Sequence, residues 1–217
     1  MRAFIYAGGR VYDEALTLFP EKEDLVISAD SGYLTACRLG VKTDLLLGDF
    51  DSLGEPKDLP PHVECLRVPA EKDDTDTQLA VSVALQRGAD EIVIVAGLEG
   101  RVDHTLSLLA IAEDLWEMRD KKKKRPRRIP CIITNGKNRV RFVRNSGVIL
   151  LREQYRYFSV LAADERLRGV SLEGCKYPLK NATVLRTRQW AVSNEIVGNC
   201  ALIEIRKGGA WIVESMD

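Results

Sequence analysis

The fold is decided by the stretch Leu45-Leu46-Leu47-Gly48-Asp49-Phe50-Asp51-Ser52, in which an apolar run leads directly into two carboxylates. The run predicts a buried strand, and open α/β sheets bind their ligands at the carboxyl ends of such strands. Because side chains alternate along an extended backbone, Asp49 and Asp51 are predicted to point to the same side. Neighbouring carboxylates repel each other unless a cation lies between them, and hard oxygen ligands suit Mg²⁺ and a phosphate-bearing substrate. On this stretch alone, a simple turn explains the residues equally well.

Three further polar clusters follow apolar runs in the same way. They are Ser28-Ala29-Asp30-Ser31-Gly32 after Leu25 to Ile27, Lys72-Asp73-Asp74-Thr75-Asp76 after Val63 to Val68, and Gly97-Leu98-Glu99-Gly100-Arg101-Val102-Asp103-His104 after Ile92 to Val95. A helix N-cap at Asp74 or Thr75 explains one polar residue, and a local salt bridge explains Arg101 with Asp103. Four clusters after four strand-like runs are nevertheless hard to explain as independent turns.

The first strand-like run, Ala3 to Ala7, ends in Gly8-Gly9. This pair lacks the spacing of the common glycine-rich phosphate loops. Any nucleotide is therefore expected to be held through metal-bound carboxylates.

Helix-like segments alternate with the strand-like runs as far as about Trp116. One covers Thr75 to Arg87, and another covers Thr105 to Met118. The apolar positions predicted to pack are Leu79, Val83 and Leu85, with Ala80 and Ala84 between them, in the first and Leu106, Leu109 and Leu115 in the second. Alternating strands and helices predict a parallel sheet with crossover helices.

The pattern changes after the basic run at residues 119–128, which predicts a solvated connection. From about Arg139 onward, short strand candidates follow one another without a convincing helix, and Lys207-Gly208-Gly209 predicts a hairpin. The predicted fold class is thus α/β, with an N-terminal parallel-sheet α/β domain at residues 1–135 and a small all-β, sandwich-like domain at residues 136–217.

Composition narrows the class of protein further. The 217 residues carry a formal net charge of +0, which gives no general attraction to nucleic acid or membranes. No apolar run has the length of a membrane span, and the N-terminus lacks the pattern of a secretory signal. The five cysteines are scattered and odd in number, as expected of free thiols in a reducing compartment. We therefore expect a cytoplasmic protein that binds neither nucleic acid nor a membrane.

Taken together, the motifs resemble those of the thiamine pyrophosphokinase family. They are S-A-D-S-G around Asp30, G-D-F-D-S at 48–52, K-D-D-T-D at 72–76 and G-R-V-D-H at 100–104, in matching order and spacing, with Ser193-Asn194-Glu195 in the second domain. The resemblance spans most of the chain. It implies Mg²⁺-dependent transfer of the diphosphoryl group of ATP to thiamine, giving thiamine diphosphate and AMP. It also implies a homodimer with the active site at the subunit interface, ATP and metal in the first domain and thiamine in the second.

The resemblance also implies a role for each motif residue. The catalytic residues would be Asp49, Asp51, Lys72, Asp73, Asp76, Arg101 and Asp103. Of these, Asp49, Asp51 and Asp76 would bind Mg²⁺, Asp73 would support the metal or its waters, and Asp103 would orient Arg101. ATP would contact Asp30, Lys72 and Arg101, and thiamine would contact Ser193 and Asn194. His104 is expected to make a structural contact at a helix start.

Three alternatives stay open on the sequence. A pterin-directed pyrophosphokinase shares related carboxylate motifs, so the acceptor is the weakest part of the assignment. A non-catalytic nucleotide sensor, or an RNA-binding protein that uses residues 119–128, would belong to a different class. Judged by local sequence alone, Ser193 and Asn194 are ordinary loop residues.

Overall fold

The computed structural model describes residues 1–50, 54, 59–71, 73–120 and 125–217, with the side chains of residues 119, 120, 125 and 126 excepted. Asp51, Lys72 and the basic residues Lys121 to Lys124 therefore lie outside the described residues. The chain forms two compact units, Met1–Gly136 and Lys137–Asp217, called unit 1 and unit 2 below.

Unit 1 alternates strands with helices. Its elements are β1 Arg2–Tyr6, a 3-10 helix Glu14–Leu16, β2 Leu25–Ala29, α1 Gly32–Arg38, β3 Leu45–Gly48, β4 Glu64–Arg67, α2 Asp76–Gln86, β5 Glu91–Val95, α3 Val102–Glu117, β6 Arg119–Asp120, β7 Arg125–Pro126 and β8 Cys131–Thr134. Parallel pairing gives the strand order β8-β5-β1-β2-β3-β4, while β6 and β7 form a short antiparallel pair. The predicted α/β domain with a parallel sheet is confirmed.

Chain order along this sheet reverses beside β1. Strands β2, β3 and β4 extend from one side of β1, and β5 and β8 extend from the other. The residues Ala3 to Tyr6 and Leu45 to Leu47 are completely buried, as expected of central strands covered on both faces. In open α/β sheets, such a reversal is where the carboxyl ends of the strands leave a crevice for a ligand.

Helix α2 begins where the sequence predicted but buries different residues. The Thr75 hydroxyl accepts a hydrogen bond from the backbone N–H of Gln78, so Thr75 is the N-cap. The fully buried residues are Ala80, Val81 and Ala84, whereas Leu79, Val83 and Leu85 are only half-buried. The helix packs against β1, β2 and β3. The predicted burial of Ala80 and Ala84 is confirmed, whereas the prediction that Leu79, Val83 and Leu85 share this buried face was wrong.

Helix α3 begins at Val102, three residues before the predicted start. Its buried stripe is Leu108, Ile111, Ala112 and Leu115, a helical spacing shifted around the axis from the predicted one. Leu106 is 59% exposed, so its predicted place in the core was wrong. The earlier start puts Asp103 and His104 inside the first helical turn.

Unit 2 is built from antiparallel strands. They are β9 Asn138–Arg144, β10 Gly147–Leu151, β11 Tyr157–Ala162, β12 Arg166–Glu173, β13 Leu179–Leu185, β14 Cys200–Lys207 and β15 Gly209–Ser215. One set pairs in the order β11-β15-β9, and a second pairs in the order β10-β14-β12-β13. The described residues of this unit contain no helix, which confirms the all-β prediction.

The stretch Lys207-Gly208-Gly209 does not form a hairpin between β14 and β15, contrary to prediction. Strand β14 pairs with β10 and β12, whereas β15 pairs with β9 and β11, so Gly208 carries the chain from one set of strands to the other. Gly208 has φ 114°, and its N–H donates to Oδ1 of Asn145. A tight glycine turn is compatible with either outcome, because it fixes the reversal and not the partner strand.

Across the described residues, no helix combines the length and the apolarity that crossing a membrane requires.

Candidate active site

A cleft of about 480 Å³ lies at the carboxyl ends of the parallel strands of unit 1. Residues that follow β1, β2, β3 and β5 line it, together with the N-terminal turns of α2 and α3. Its charged lining residues are Asp30, Asp49, Asp74, Asp76, Glu99 and Arg101. Residues from all four sequence clusters therefore meet in one place, at the strand-order reversal.

Asp30 is fixed at this edge by an unusual backbone. It has φ 46°, is 8% exposed, and donates its N–H to the carbonyl of Leu47 over 2.7 Å. At Gly48, a Cβ would lie 3.2 Å from both Cα and Cβ of Asp30. The glycine in front of Asp49 thus allows the end of β3 to approach Asp30 closely.

Asp49 lines the cleft, but not for the reason first given. Strand β3 ends at Gly48, and Phe50 has φ 65°, so the backbone is not extended through Phe50. Strand alternation therefore does not continue from Asp49 through Phe50, and the predicted direction of Asp51 lies outside the described residues. Phe50 is 5% exposed, and the guanidinium carbon of Arg67 lies 5.7 Å from its ring centroid. Burying this ring accounts for the left-handed residue next to Asp49.

The second cluster is distributed around the N-terminus of α2. Asp74 and Asp76 line the cleft, and Asp76 is the first helical residue, where a negative charge complements the helix dipole. Asp73 is exposed and is not one of the described residues that line the cleft. Asp74 takes that position instead. The cluster predicted a carboxylate here, but it could not indicate which of two adjacent aspartates faces inward.

Arg101 and Asp103 form a two-point ion pair. Nε of Arg101 donates to Oδ1 of Asp103 over 3.1 Å, and Nη2 donates to Oδ2 over 2.6 Å. The hydrogen bond from Arg101 holds the pKa of the Asp103 carboxyl below its usual range. Only Arg101 of the two lines the cleft, and its side chain is 71% exposed. Arg101 and Asp103 thus form a local salt bridge at the start of α3, and this salt bridge keeps the Arg101 guanidinium beside the cleft.

Glu99 is a cleft residue that the sequence argument did not single out. One of its oxygens accepts the N–H of Arg10 over 2.6 Å, and the other accepts the hydroxyl of Tyr12. His104, expected to have only a structural contact, also lines the cleft from the first turn of α3.

The acidic lining has the right chemistry for Mg²⁺. Within the part of the chain that the structure describes, no three metal-ligating side chains form a ready-made cluster. Mg²⁺ is usually bound through one or two carboxylates, several waters and the substrate phosphates, and not by an all-protein cage. Asp49 and Asp76, on neighbouring parts of one cleft, fit that requirement.

In unit 2, Asn194 is buried and its side chain is fully engaged. It is 3% exposed, its Oδ1 accepts the N–H groups of Tyr177 and Glu195 over 3.0 and 2.9 Å, and its Nδ2 donates to the carbonyl of Tyr177 over 2.9 Å. Ser193 is exposed, has φ 53°, and donates its N–H to Oγ of Ser159. The Asn194 side chain therefore holds the backbone at Tyr177, within residues 174–179, called the 174–179 segment below. Its predicted contact with a ligand stays a prediction.

Two family models match the chain, and each falls within one unit. The model for "Thiamin pyrophosphokinase, catalytic domain" matches residues 16–124, and the model for "Thiamin pyrophosphokinase, vitamin B1 binding domain" matches residues 147–208. The class of protein that these two models define is a kinase with a catalytic domain and a vitamin-binding domain. More particularly, the chain belongs to the thiamin pyrophosphokinase family of enzymes.

Individual relatives agree with this assignment. The chain is 28% identical to the thiamine pyrophosphokinase of Bacillus subtilis (strain 168) over 206 residues, which are 93% of this chain and 92% of that protein. A crystal structure of the Bacillus subtilis thiamine pyrophosphokinase matches with a TM-score of 0.87 and 25% identity over the whole of both chains. A thiamin pyrophosphokinase family protein from Enterococcus faecalis matches with a TM-score of 0.78 and 25% identity, again over both whole chains.

Proposed function

We propose that the chain transfers the diphosphoryl group of ATP to the hydroxyl of thiamine, giving thiamine diphosphate and AMP. The observation that carries this proposal is that Asp30, Asp49, Asp76 and Arg101, from four separate motifs, line one cleft. An acidic cleft with a guanidinium at its wall suits a metal–polyphosphate ligand. Residues 1–135 would bind ATP and metal, and residues 136–217 would bind thiamine.

Asp49, Asp51 and Asp76 are the proposed Mg²⁺ ligands. When bound, Mg²⁺ would neutralise phosphate charge that otherwise repels the attacking hydroxyl. The position of Asp49 and Asp76 in one cleft supports this role. The role predicted for Asp73, holding a metal-bound water, would fall to Asp74, which lines the cleft, and Asp30 would contact the nucleotide or such a water.

Arg101 and Lys72 are the proposed phosphate contacts. The thiamine oxygen would form a bond to the β-phosphorus as the bond from that phosphorus to the AMP oxygen breaks, and the hydroxyl proton would be released. Negative charge builds on the departing phosphate, so fixed cations at that point lower the barrier. Asp103 would act as a positioning residue, since it holds both ends of the Arg101 fork.

The acceptor distinguishes thiamine from a pterin. The vitamin B1 binding match at residues 147–208 supports thiamine, with Ser193 and Asn194 in the acceptor pocket. A non-catalytic sensor would not need the carboxylate set, because nucleotide binding alone does not require charge neutralisation for attack.

The test is to incubate the full chain with ATP, Mg²⁺ and thiamine and to measure the products by mass spectrometry. We expect thiamine diphosphate and AMP in equal amounts, and neither product from the Asp49→Asn variant. A parallel reaction with a hydroxymethylpterin acceptor should give no diphosphorylated pterin. Formation of ADP in place of AMP, or preferential use of the pterin, would overturn the proposal.

A homodimer with its active site at the subunit interface is part of the same proposal. It is supported by apolar side chains on the β10–β14 surface of unit 2, where Ile149 and Leu202 are direct cross-strand neighbours, 62% and 44% exposed. Mixing the Asp49→Asn chain with a Ser193→Ala/Asn194→Ala chain tests it. If each site combines unit 1 of one subunit with unit 2 of the other, mixed dimers regain one intact site. No recovery in mixed dimers verified by native mass spectrometry would contradict a shared site.

A cytoplasmic location also belongs to this proposal. All five cysteines are free thiols, which suits a reducing compartment.

A further inference from the structure

A second cleft, of about 520 Å³, adjoins the candidate active site. Ser31 and Glu99 line both clefts, so the two spaces share a wall. The remaining wall of the second cleft comes mainly from α1 and from residues that follow β1, including Gly9, Arg10 and Val11. Residues 9–12 are called the 9–12 loop below.

The 9–12 loop is held from two sides. On the α1 side, the Gly9 carbonyl accepts from Nη2 of Arg38 over 2.9 Å and from the Thr35 hydroxyl over 3.2 Å. On the opposite side, the Arg10 N–H and the Tyr12 hydroxyl donate to the two oxygens of Glu99. Glu99 lies 87 residues from Tyr12 in the chain, so these bonds join two separate loops at the strand-order reversal.

The two loops also touch through their backbones. Gly9 has φ 132°, and a Cβ on it would lie 3.2 Å from the backbone nitrogen of Gly97. Because no side chain separates the backbones there, small movements of either loop change the shape of the cleft. Within the Gly97–Arg101 loop, the side chain of Glu99 accepts the hydrogen bonds from the 9–12 loop. Glu99 lies two residues before Arg101 in the chain.

We propose that Glu99 is a positioning residue for the ATP cleft. Its hydrogen bonds link the 9–12 loop to the Gly97–Arg101 loop and so fix the position of the wall that the two clefts share. This inference rests on the proposed function. A carboxylate facing a polyphosphate would normally repel it, but each Glu99 oxygen already accepts a donor from the 9–12 loop. The Glu99 carboxylate is therefore engaged by hydrogen bonds within the protein, and we do not count it among the proposed metal ligands.

Two variants isolate this role. Glu99→Ala removes both loop contacts, and we expect it to weaken ATP binding about tenfold, since charge-assisted hydrogen bonds are lost. Tyr12→Phe removes one contact, and we expect a smaller loss of about threefold. In Glu99→Ala/Tyr12→Phe the loss should not exceed that of Glu99→Ala, because the second change removes a partner already absent. The KM for thiamine should not change.

The matched control is Glu14→Gln, which removes a carboxylate from the second cleft but not from the shared wall. It should bind ATP as the unchanged chain does. ATP affinity is measured by calorimetry, so the result does not depend on turnover. Glu99→Gln should retain part of the affinity, because its amide oxygen can still accept the Arg10 N–H.

A spectroscopic measurement checks that the contact exists in solution. The hydrogen bond to Glu99 raises the pKa of the Tyr12 phenol. The ultraviolet titration of the unchanged chain minus that of Tyr12→Phe isolates this phenol. In Glu99→Gln the Tyr12 pKa should fall towards its ordinary value, since the anionic acceptor is gone.

The inference is overturned if the Tyr12 pKa is ordinary in the unchanged chain, or if Glu99→Ala binds ATP normally after the contact is lost. Failure of the proposed function gives a different result, in which the unchanged chain forms no AMP from ATP and thiamine.

Discussion

The cleft of unit 1 and the Ser193-Asn194-Glu195 stretch of unit 2 both carry residues of family motifs, but the key side chain is exposed in the first and buried in the second. In the cleft, Arg101 is 71% exposed and faces an open volume. In unit 2, Asn194 is 3% exposed, and its oxygen and nitrogen bond to the backbone of Tyr177. The comparison shows that a motif can mark a residue that meets a ligand or one that shapes the backbone around it.

This difference predicts different consequences of substitution. An exposed cleft residue such as Arg101 can be changed at little cost to folding, because few of its contacts are buried. A buried amide such as Asn194, which bonds three backbone groups, cannot be changed so easily, because its loss leaves those groups unsatisfied. Turnover and stability should therefore respond separately in the two regions.

The largest effect is expected at the three proposed metal ligands. Asp49→Asn, Asp51→Asn and Asp76→Asn keep side-chain shape but remove the charge that Mg²⁺ needs. Each should lower kcat on the order of a hundredfold to a thousandfold, the range seen when one electrostatic contact to the transition state is removed. Steady-state kinetics and thermal unfolding are the measurements. The melting temperature should hold for Asp49→Asn and fall slightly for Asp76→Asn, whose charge complements the dipole of α2.

Asp114→Asn provides the control for these variants, since it makes the same change on an exposed position of α3. It should leave kcat unaltered. Near-normal turnover in all three variants would remove the basis of the metal assignment.

The next effect concerns the ion pair of Arg101 and Asp103. Arg101→Gln should lower kcat by about tenfold to a hundredfold, because a guanidinium that stabilises the leaving phosphate is lost. Asp103→Asn should have a smaller effect, since Arg101 keeps its charge and loses only its orientation. Equal losses in both variants would show that orientation matters as much as charge.

The same pair has a defined pH dependence. The pKa of Asp103 is lowered in the folded chain, chiefly by the hydrogen bond from Arg101. The ionised Asp103 therefore contributes fully to the stability of the folded chain above the ordinary aspartate pKa, about 4. This stabilisation is lost only as the pH falls through the lowered pKa of the folded chain. In Arg101→Gln, the Asp103 titration followed by NMR should move upward. A midpoint that does not move would mean that the pair is absent in solution.

The fold was predictable where local pattern and environment agree. Buried parallel strands appear as short apolar runs, and the polar clusters at their carboxyl ends indicated the edge that forms the cleft. Strands β12 and β13 were missed. Around Gly169 the pairing of β12 with β13 shifts in register, and such a bulge breaks the alternation that identifies a strand.

The remaining errors concern contacts between distant parts of the chain. Nothing near Gly208 specifies that β14 and β15 join different sets of strands, and nothing near Glu99 indicates its bond to Tyr12. The left-handed Phe50 is explained only once its ring is seen to be buried. In each case the deciding interaction lies outside the window that a sequence pattern covers.

A smaller and mixed effect is expected for Asn194→Ala. It should raise the KM for thiamine about fivefold to a hundredfold, the cost of roughly 1–3 kcal/mol for unsatisfied buried groups, and leave the KM for ATP unchanged. The melting temperature should fall by several degrees, about 2–4 °C per kcal/mol for a chain of this length. Ser193→Ala, an exposed change beside it, should not lower the melting temperature.

The outcome for Asn194 decides whether the two regions truly differ. A raised thiamine KM with unchanged stability would make Asn194 a ligand contact like those of the cleft. If the KM for ATP rises and the KM for thiamine does not, the acceptor pocket has been assigned to the wrong unit.

The smallest effect, and the most direct probe of the 174–179 segment, is the reactivity of Cys175. This thiol is buried, its Sγ lies 3.6 Å from the Tyr177 carbonyl, and burial raises its pKa. Since the thiolate is the reactive form, a raised pKa slows alkylation at pH 8. Asn194→Ala should free the segment and expose the thiol, which speeds labelling. The Asn194 hydrogen bond lowers the Cys175 pKa in the folded chain, so its loss opposes this change and keeps the expected increase small. Cys131, whose pKa burial raises to about 12 in β8 of unit 1, should stay unreactive in both chains. Peptide mapping by mass spectrometry reads each site separately. Faster labelling of Cys131 as well would indicate general unfolding, and an unchanged rate at Cys175 would show that Asn194 does not hold this segment.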